Sequence, residues 1–308
     1  MLMYFPMKQQ IITLDIIQEI VGLQYIGKNE QIDGLNLCNR HTNSTSIISY
    51  VTSRSFFSAV HDNTNIKALF ITHELWLEYQ KTYPEDNLSV FITDVPETVF
   101  YLLHERLVAD NSFYNRFSFD AVIGKNCNIH PTAIIEEGVV IKDNVTIGAL
   151  SVIKKGCILE NNVCVGSCSV IGSEGFQVIK FADGTLHTII HTGGTHLMER
   201  VHIGDNTTIG NALFEGMCVV GKDTKIDNHV YIAHNCEIGE HVVITAGVII
   251  LGSVTVGNNV WVAPNVLALN KVVISDNAFI GGMSLVTKNV PENTCVVGIP
   301  AKNWRRQK

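Results

Sequence analysis

The sequence predicts a mainly β protein: a left-handed parallel β-helix of hexapeptide repeats, preceded by a small α/β domain. Three observations carry this. From Ile123 an aliphatic residue recurs every six positions, at Ile129, Ile135, Ile141, Ile147, Ile153, Leu159, Val165 and Ile171. Four places after each, in turn, stands a small or β-branched residue: Cys127, Ala133, Val139, Val145, Ser151, Cys157, Val163 and Ser169. Gly and Asn follow the aliphatic in IGKN, IGDN, IGEH and VGNN, where a sharp corner needs unusual dihedrals.

A period of six is neither helical nor simple strand alternation, so each unit is a short strand plus a turn. Three units close a triangular coil of about 18 residues, and the chain has room for roughly eight coils. An ordinary β-sandwich does not hold one period for so long.

In chain order, residues 1–110 form the small α/β domain. ITLDIIQEIVG (11–22) and PETVFYLLHERLV (96–108) have helical apolar spacing; ISYVTS, KALFIT and LSVFIT read as strands. A polar linker, 111–120, leads into the β-helix, 121–302. Residues 172–200 form an insertion too long for a corner, and long ordered loops tend to carry function. The period resumes at Ile203 and Ile209, loses one residue near Glu215, and runs on from Val220 through Ile226, Ile232, Ile238, Ile244 and Ile250 to Val286. A polar tail, 303–308, closes the chain.

Composition narrows the function. Of 308 residues, 22 are Lys or Arg and 29 Asp or Glu, a net charge of −7. The short basic run KNWRRQK reads as a solvated tail, so no nucleic-acid partner is expected. MLMYFPMK is too short for a signal-peptide core. VVITAGVIILGSVTV (242–256) is shorter than the ~20 residues of a membrane span. A cytoplasmic protein with no membrane span is expected. The eight cysteines include no C-x-x-C pair, and Cys127, Cys157 and Cys236 fall on the small interior position. They read as buried thiols, not metal ligands or disulfides.

The stretch IDNHVYIAHNCEI (226–238) holds His229 and His234, five apart, with Asn235 beside the second. Residue types alone leave three readings open: a metal site, a general base with its helper, or exposed corner residues of a scaffold. In the first, His229 and His234 are joined by a third imidazole from the insertion, His187, His191 or His196, at a site bridging neighbouring subunits, an arrangement that suits catalytic zinc and resembles a γ-carbonic-anhydrase-like lyase.

At these residues the chain resembles the UDP-3-O-acylglucosamine N-acyltransferase family of lipid A synthesis. The resemblance rests on KIDNHVYIAHNCEIG followed by AGVIILGS, on IGSEGF (171–176), and on the order ITLDIIQEIVG, ISYVTSRSFF, KALFIT. It implies a homotrimer that transfers an acyl group from acyl-CoA or acyl carrier protein to the amine of a nucleotide-linked amino sugar, with no tightly bound cofactor and no metal. His234 matches the family's catalytic base, Asn235 its helper, and the Gly252 N–H its oxyanion donor. Tyr50, Ser53 and Phe56 stand where the family holds the base of the nucleotide, and Glu174, Gly175 and Phe176 in its substrate loop.

There are departures. Ser53 replaces an asparagine, Lys271 replaces a second histidine, a D-R-G segment is shortened to FEGM (214–217), and the ending CVVGIPAKNWRRQK is more like acetyl-CoA-dependent hexapeptide enzymes. These point toward a relative acting on another UDP- or dTDP-amino sugar, for lipid A, O-antigen or another surface polysaccharide. The alternative within the class is an acetyl-CoA-dependent N-acetyltransferase unrelated to lipid A.

Overall fold

The computed structural model describes residues 10–303 except 41, 43, 111, 112 and 182. The opening MLMYFPMK and residues 304–308 of the expected tail lie outside them. The chain divides into two units: residues 1–116 with 177–190 and 214–216, and residues 117–176 with 191–213 and 217–308.

The first unit is built on a five-stranded sheet in the order Tyr25–Ile26, Ser89–Ile92, Ile66–Ile71, Ile47–Val51, Gly34–Leu35. The first of these is antiparallel to its neighbour and the rest are parallel. Ile66–Ile71 is buried at every position but Lys67, as a parallel strand covered on both faces requires. Four helices accompany it: α1 Leu14–Val21, α2 Phe57–Asp62, α3 His73–Thr82 and α4 Pro96–Asp110. The apolar spacing over 11–22 and 96–108 marks α1 and α4, but α1 starts later because Ile12–Thr13 pairs with Gln31–Ile32. It stops at Gly22, whose φ of 70° is the left-handed cap that glycine supplies without strain. Two helices fall outside the sequence reading. α2 spans six residues, and α3 begins at a Thr72 cap whose side chain accepts the Leu75 N–H.

The second unit is the left-handed parallel β-helix. Short strands fall in turn on sheet 1 (from Val122–Ile123), sheet 2 (from Asn128–Ile129) and sheet 3 (from Ile134–Ile135). Sheets 1 and 3 hold eight strands each, so the expected eight coils are present. The six-residue aliphatics point inward as one column per sheet; Ile153, Ile171, Ile209, Ile232 and Ile250 are fully buried along sheet 3. The small residues line the inner corners, with Ser151, Cys157, Ser169, Cys218 and Cys236 at zero exposure. The outer corner takes a left-handed residue in coil after coil, asparagine more often than any other non-glycine residue, as at Asn126, Asn144, Asn162, Asn235 and Asn259. Asn tolerates that region better than most side chains.

The insertion is smaller than expected and has a companion. Register partners are 18 residues apart along most of the prism (Val140 with Ile158), 38 apart in one coil (Ile158 with His196) and 23 in the next (His196 with Val219). Those coils therefore carry 20 and 5 extra residues. Gly194–Leu197 is already a prism strand paired with Cys157–Leu159, so the insertion ends before the expected residue 200. Near Glu215 the chain has not lost one residue but added five: between Ile209 and Val220 it turns one corner in 11 steps, not six. Both extra segments leave the prism at the corner from sheet 3 to sheet 1. Their tips, 177–190 and 214–216, group with the first unit. There Phe214 packs its ring against Phe100, Tyr101 and His104.

Candidate active site

The sheet 3 to sheet 1 corner collects most of the predicted residues. Register alone explains this: Tyr231–Ile232 pairs with Ile249–Ile250, which pairs with Leu267–Ala268. The residues that follow these strands therefore stack as His234–Asn235, Gly252–Ser253 and Asn270–Lys271. One coil before them the corner holds Asn211. One coil earlier still, the chain departs through Glu174, Gly175 and Phe176 and returns at His191.

His234 is half-buried, and its tautomer is set by its neighbour. Asn235 Oδ1 accepts the Leu213 N–H at 3.2 Å, which identifies that atom as the oxygen. His234 Nδ1 lies 3.1 Å from the same oxygen and so must carry its proton. In neutral imidazole that leaves the lone pair on Nε2. Asn235 has two reasons to be asparagine: this contact, and the left-handed corner it occupies at φ 57°.

Nε2 is turned to Gly252. A Cβ on Gly252 would lie 2.6 Å from Nε2 and 2.7 Å from Cε1, so the missing side chain is what makes room for the ring. On the corner from sheet 1 to sheet 2 the equivalent N–H is capped by a side chain one coil on, as Glu240 by Asn258 and Asn258 by Asp276. Among the described residues no side chain caps the Gly252 N–H. Its carbonyl accepts the Lys271 N–H at 3.1 Å, which sets the exposed Lys271 next in the stack.

On the other side is Gly175, whose N–H donates to Asn211 Oδ1 at 3.3 Å. A Cβ there would lie 2.5 Å from His191 Nε2 and 2.7 Å from His234 Cβ. Flanking it, Glu174 is exposed, and Phe176 is 76% exposed, an apolar ring left in solvent beside a polar corner. The His191 ring, on a residue only 6% exposed, lies 5.0 Å from the His234 ring.

Within a single chain the imidazoles of the zinc reading do not come together. His229 sits at the corner from sheet 2 to sheet 3, exposed and left-handed at φ 57°, on a different edge of the prism from His234. His187 Nδ1 lies 3.0 Å from Glu105 and its ring stacks on Phe181; His196 lies 3.1 Å from Glu160. No group of three or more His, Cys, Asp or Glu able to hold a metal occurs among the described residues.

Tyr50, Ser53 and Phe56 belong to the first unit, and each has a local role there. Tyr50 donates its hydroxyl to Glu97 at 2.9 Å and packs against Phe100 and Tyr101. Ser53 caps the short 3-10 turn Arg54–Phe56, its hydroxyl accepting the Ser55 N–H at 3.3 Å. Phe56 is half-buried against the core that holds Phe57, Val60 and Trp76. Two residues of the corner were not singled out as part of a catalytic site from sequence. Asn211 carries no periodic signal, and His191 was one of three interchangeable metal-ligand candidates.

The buried thiols offer no nucleophile. Burial pushes Cys157 and Cys236 up to about 12, so neither ionises near neutrality.

The bacterial transferase hexapeptide model (six repeats) matches residues 120–155, 138–173 and 217–252. UDP-3-O-acylglucosamine N-acyltransferase from Campylobacter lari is 42% identical over 67 residues, 22% of this chain and 21% of that protein. UDP-3-O-acylglucosamine N-acyltransferase 1 from Francisella tularensis subsp. holarctica (strain OSU18) is 36% identical over 117 residues, 38% of this chain and 28% of that protein. The match to these curated relatives thus spans less than a third of their length. Among solved structures, a UDP-N-acetylglucosamine acyltransferase from Campylobacter jejuni superposes with a TM-score of 0.53 at 19% identity, covering 60% of this chain and 69% of that one. Another from Bacteroides fragilis gives 0.52 at 23%, covering 60% and 70%. At such identities the likeness is one of fold. The chain carries hexapeptide repeats of the bacterial transferase kind, wound into the β-helix those structures share.

Proposed function

We propose that the protein is an N-acyltransferase that moves an acyl group from a thioester, on CoA or acyl carrier protein, to the amine of a nucleotide-linked amino sugar. One observation carries this reading: His234 holds its proton on Nδ1 against Asn235, and its Nε2 lone pair faces the corner of Gly252. As the amine attacks the thioester carbon, Nε2 takes a proton from the nitrogen. The carbonyl oxygen becomes an oxyanion, for which the Gly252 N–H is the donor. The C–S bond then breaks, and the imidazolium returns its proton to the departing thiolate. Direct transfer of this kind needs no acyl-enzyme, which agrees with the un-ionised thiols behind the corner.

Glu174, Gly175, Phe176 and Lys271 are the proposed acceptor contacts, with the Lys271 ammonium suited to a phosphate or carboxylate of the substrate. Tyr50, Ser53 and Phe56 are the proposed nucleotide contacts of the first unit. Phe56→Ala tests this: a raised KM for the nucleotide sugar with little change in kcat supports a substrate contact, whereas lost thermal stability with unchanged KM assigns Phe56 to packing. The enzyme is proposed to act as a cytoplasmic homotrimer in envelope-glycan synthesis. No helix among the described residues is long and apolar enough to cross a membrane.

The test of activity is mass spectrometry of purified protein with acetyl-CoA or 3-hydroxyacyl carrier protein, against UDP- and dTDP-amino sugars and UDP-3-O-acylglucosamine. Acylation of the last by the carrier-protein donor places the enzyme in lipid A synthesis. Acetylation of a simpler nucleotide sugar places it in surface-polysaccharide synthesis. No transfer from either donor to any acceptor rejects the reading.

A further inference from the structure

We infer that His191 is a positioning residue for His234, and that Asn211 is the clamp that sets it there. The inference rests on the reading of His234 as the base.

Asn211 sits at the corner one coil before His234 and is only 7% exposed. Its Nδ2 donates to the His191 carbonyl at 3.1 Å and its Oδ1 accepts the Gly175 N–H at 3.3 Å. Its own N–H donates to the Ser173 carbonyl at 2.8 Å, and its carbonyl accepts the Asn235 N–H at 3.4 Å. One residue therefore ties the strand that leaves the prism, the segment that returns, and the corner that carries the base. A buried amide whose ends are both engaged is stiff, because releasing either end strands a polar group away from water.

The consequence is the placement of His191. Its ring stands 5.0 Å from that of His234, inclined at 57°, with the Gly175 main chain close to both. The bond from Nδ1 to Asn235 fixes which nitrogen of His234 is the base. The neighbouring His191 ring packs against one side of the imidazole, where it limits the ring's motion and its access to water. Any side chain at 175 would occupy the same space, which accounts for glycine at a position where no positive φ demands it. The titratable groups on the elements around His234 include His191 itself, Tyr231 in the strand before it, Cys236 in its own turn, Glu174 on the departing strand and Lys271 beyond Gly252.

The test measures two quantities on the full chain: the titration of His234 by NMR of its ring protons, and the kcat and KM of acyl transfer. His191→Ala admits water to the base and loosens it. The expected result is a His234 midpoint raised by about one pH unit and a kcat lowered by roughly 100-fold, with KM little changed. Asn211→Ala should move both in the same directions, and His191→Phe, which keeps a ring in place, should restore both toward the parent. If the alanine variant fails to fold, His191→Gln gives the same reading with a smaller displacement. An unmoved His234 midpoint with parental kcat in folded His191→Ala overturns the inference, and so does an effect confined to KM. Failure of the underlying reading looks different: His234→Gln would then retain full transfer, whatever the NMR titration shows.

Discussion

Gly252 and His234 occupy the same turn position in consecutive coils, and only one of them has room for a side chain. Gly252→Ala should therefore act on the imidazole and not on the prism. Its Cβ falls 2.6 Å from Nε2, so the ring must swing away. We expect kcat to fall by roughly 100- to 1,000-fold with little change in melting temperature. His234→Ala should fall by about 100- to 10,000-fold, with the same stability. A Gly252→Ala enzyme at parental rate would show that the ring is not held against that corner during turnover. At this scale the sequence was partly legible. His234, Asn235 and Gly252 stand in one short run whose spacing is the repeat itself. Their mutual contact follows from register alone. His191 and Asn211 reach the same corner only because a 20-residue excursion closes on itself, and closure leaves no periodic mark. Ser53 and Tyr50, proposed as nucleotide contacts, also serve a cap and a core, and neither local role is marked in the sequence.

Among the elements, the two extra segments at one corner decide what the six-residue period can and cannot reveal. The strands between them were legible because each inward aliphatic repeats. The second excursion was not, since five added residues and one lost residue leave the next aliphatic in the same place. Its Glu215 has a measurable consequence. The carboxyl accepts Gln10 Nε2 at 2.8 Å and the Leu35 N–H, while Arg116 donates to the Glu215 carbonyl. Those donors and the Arg116 charge favour the carboxylate, but burial outweighs them and pushes the group up to about 8 from its ordinary 4.5. The folded state thus holds a proton that the unfolded chain releases above 4.5. Stability from this group is greatest below pH 4.5 and declines as pH rises toward 8. The slope approaches about 1.4 kcal/mol per pH unit within that window. Glu215→Gln keeps an acceptor for Gln10 and Leu35 but cannot ionise. Its melting temperature should fall less between pH 5 and pH 8 than that of the parent. Parallel curves would show that Glu215 is already ionised in the fold.

For the whole molecule, the outward side of sheet 3 poses the question of assembly. Strand alternation sends one residue of each strand inward and its predecessor out. On sheet 3 the outward residues are Ile134, Val152, Val170, Thr208, Tyr231, Ile249, Leu267 and Leu285, apolar except at Thr208. Sheet 2 is mixed, with Asn128, Thr146, Cys164, His202 and Lys225 followed by Val243, Trp261, Phe279 and Cys295. An apolar column of that length, with Ile134 58% and Ile249 40% exposed, is costly to leave in water. Packing against copies of the same chain would bury it, and the homotrimer proposed from the family resemblance would supply them. Ile249 lies two residues before the Leu251–Gly252 corner, so a contact there would also brace the proposed base. Ile249→Lys puts a charge in the column without touching the prism interior, where Ile250 stays buried. Light scattering should then report a single chain in place of three, with circular dichroism unchanged and transfer activity lost together with assembly. A parent protein that already scatters as a monomer would remove the trimer, and with it the reason for keeping this face apolar. A monomeric but fully active variant would keep the trimer and confine the chemistry to one chain's own corner.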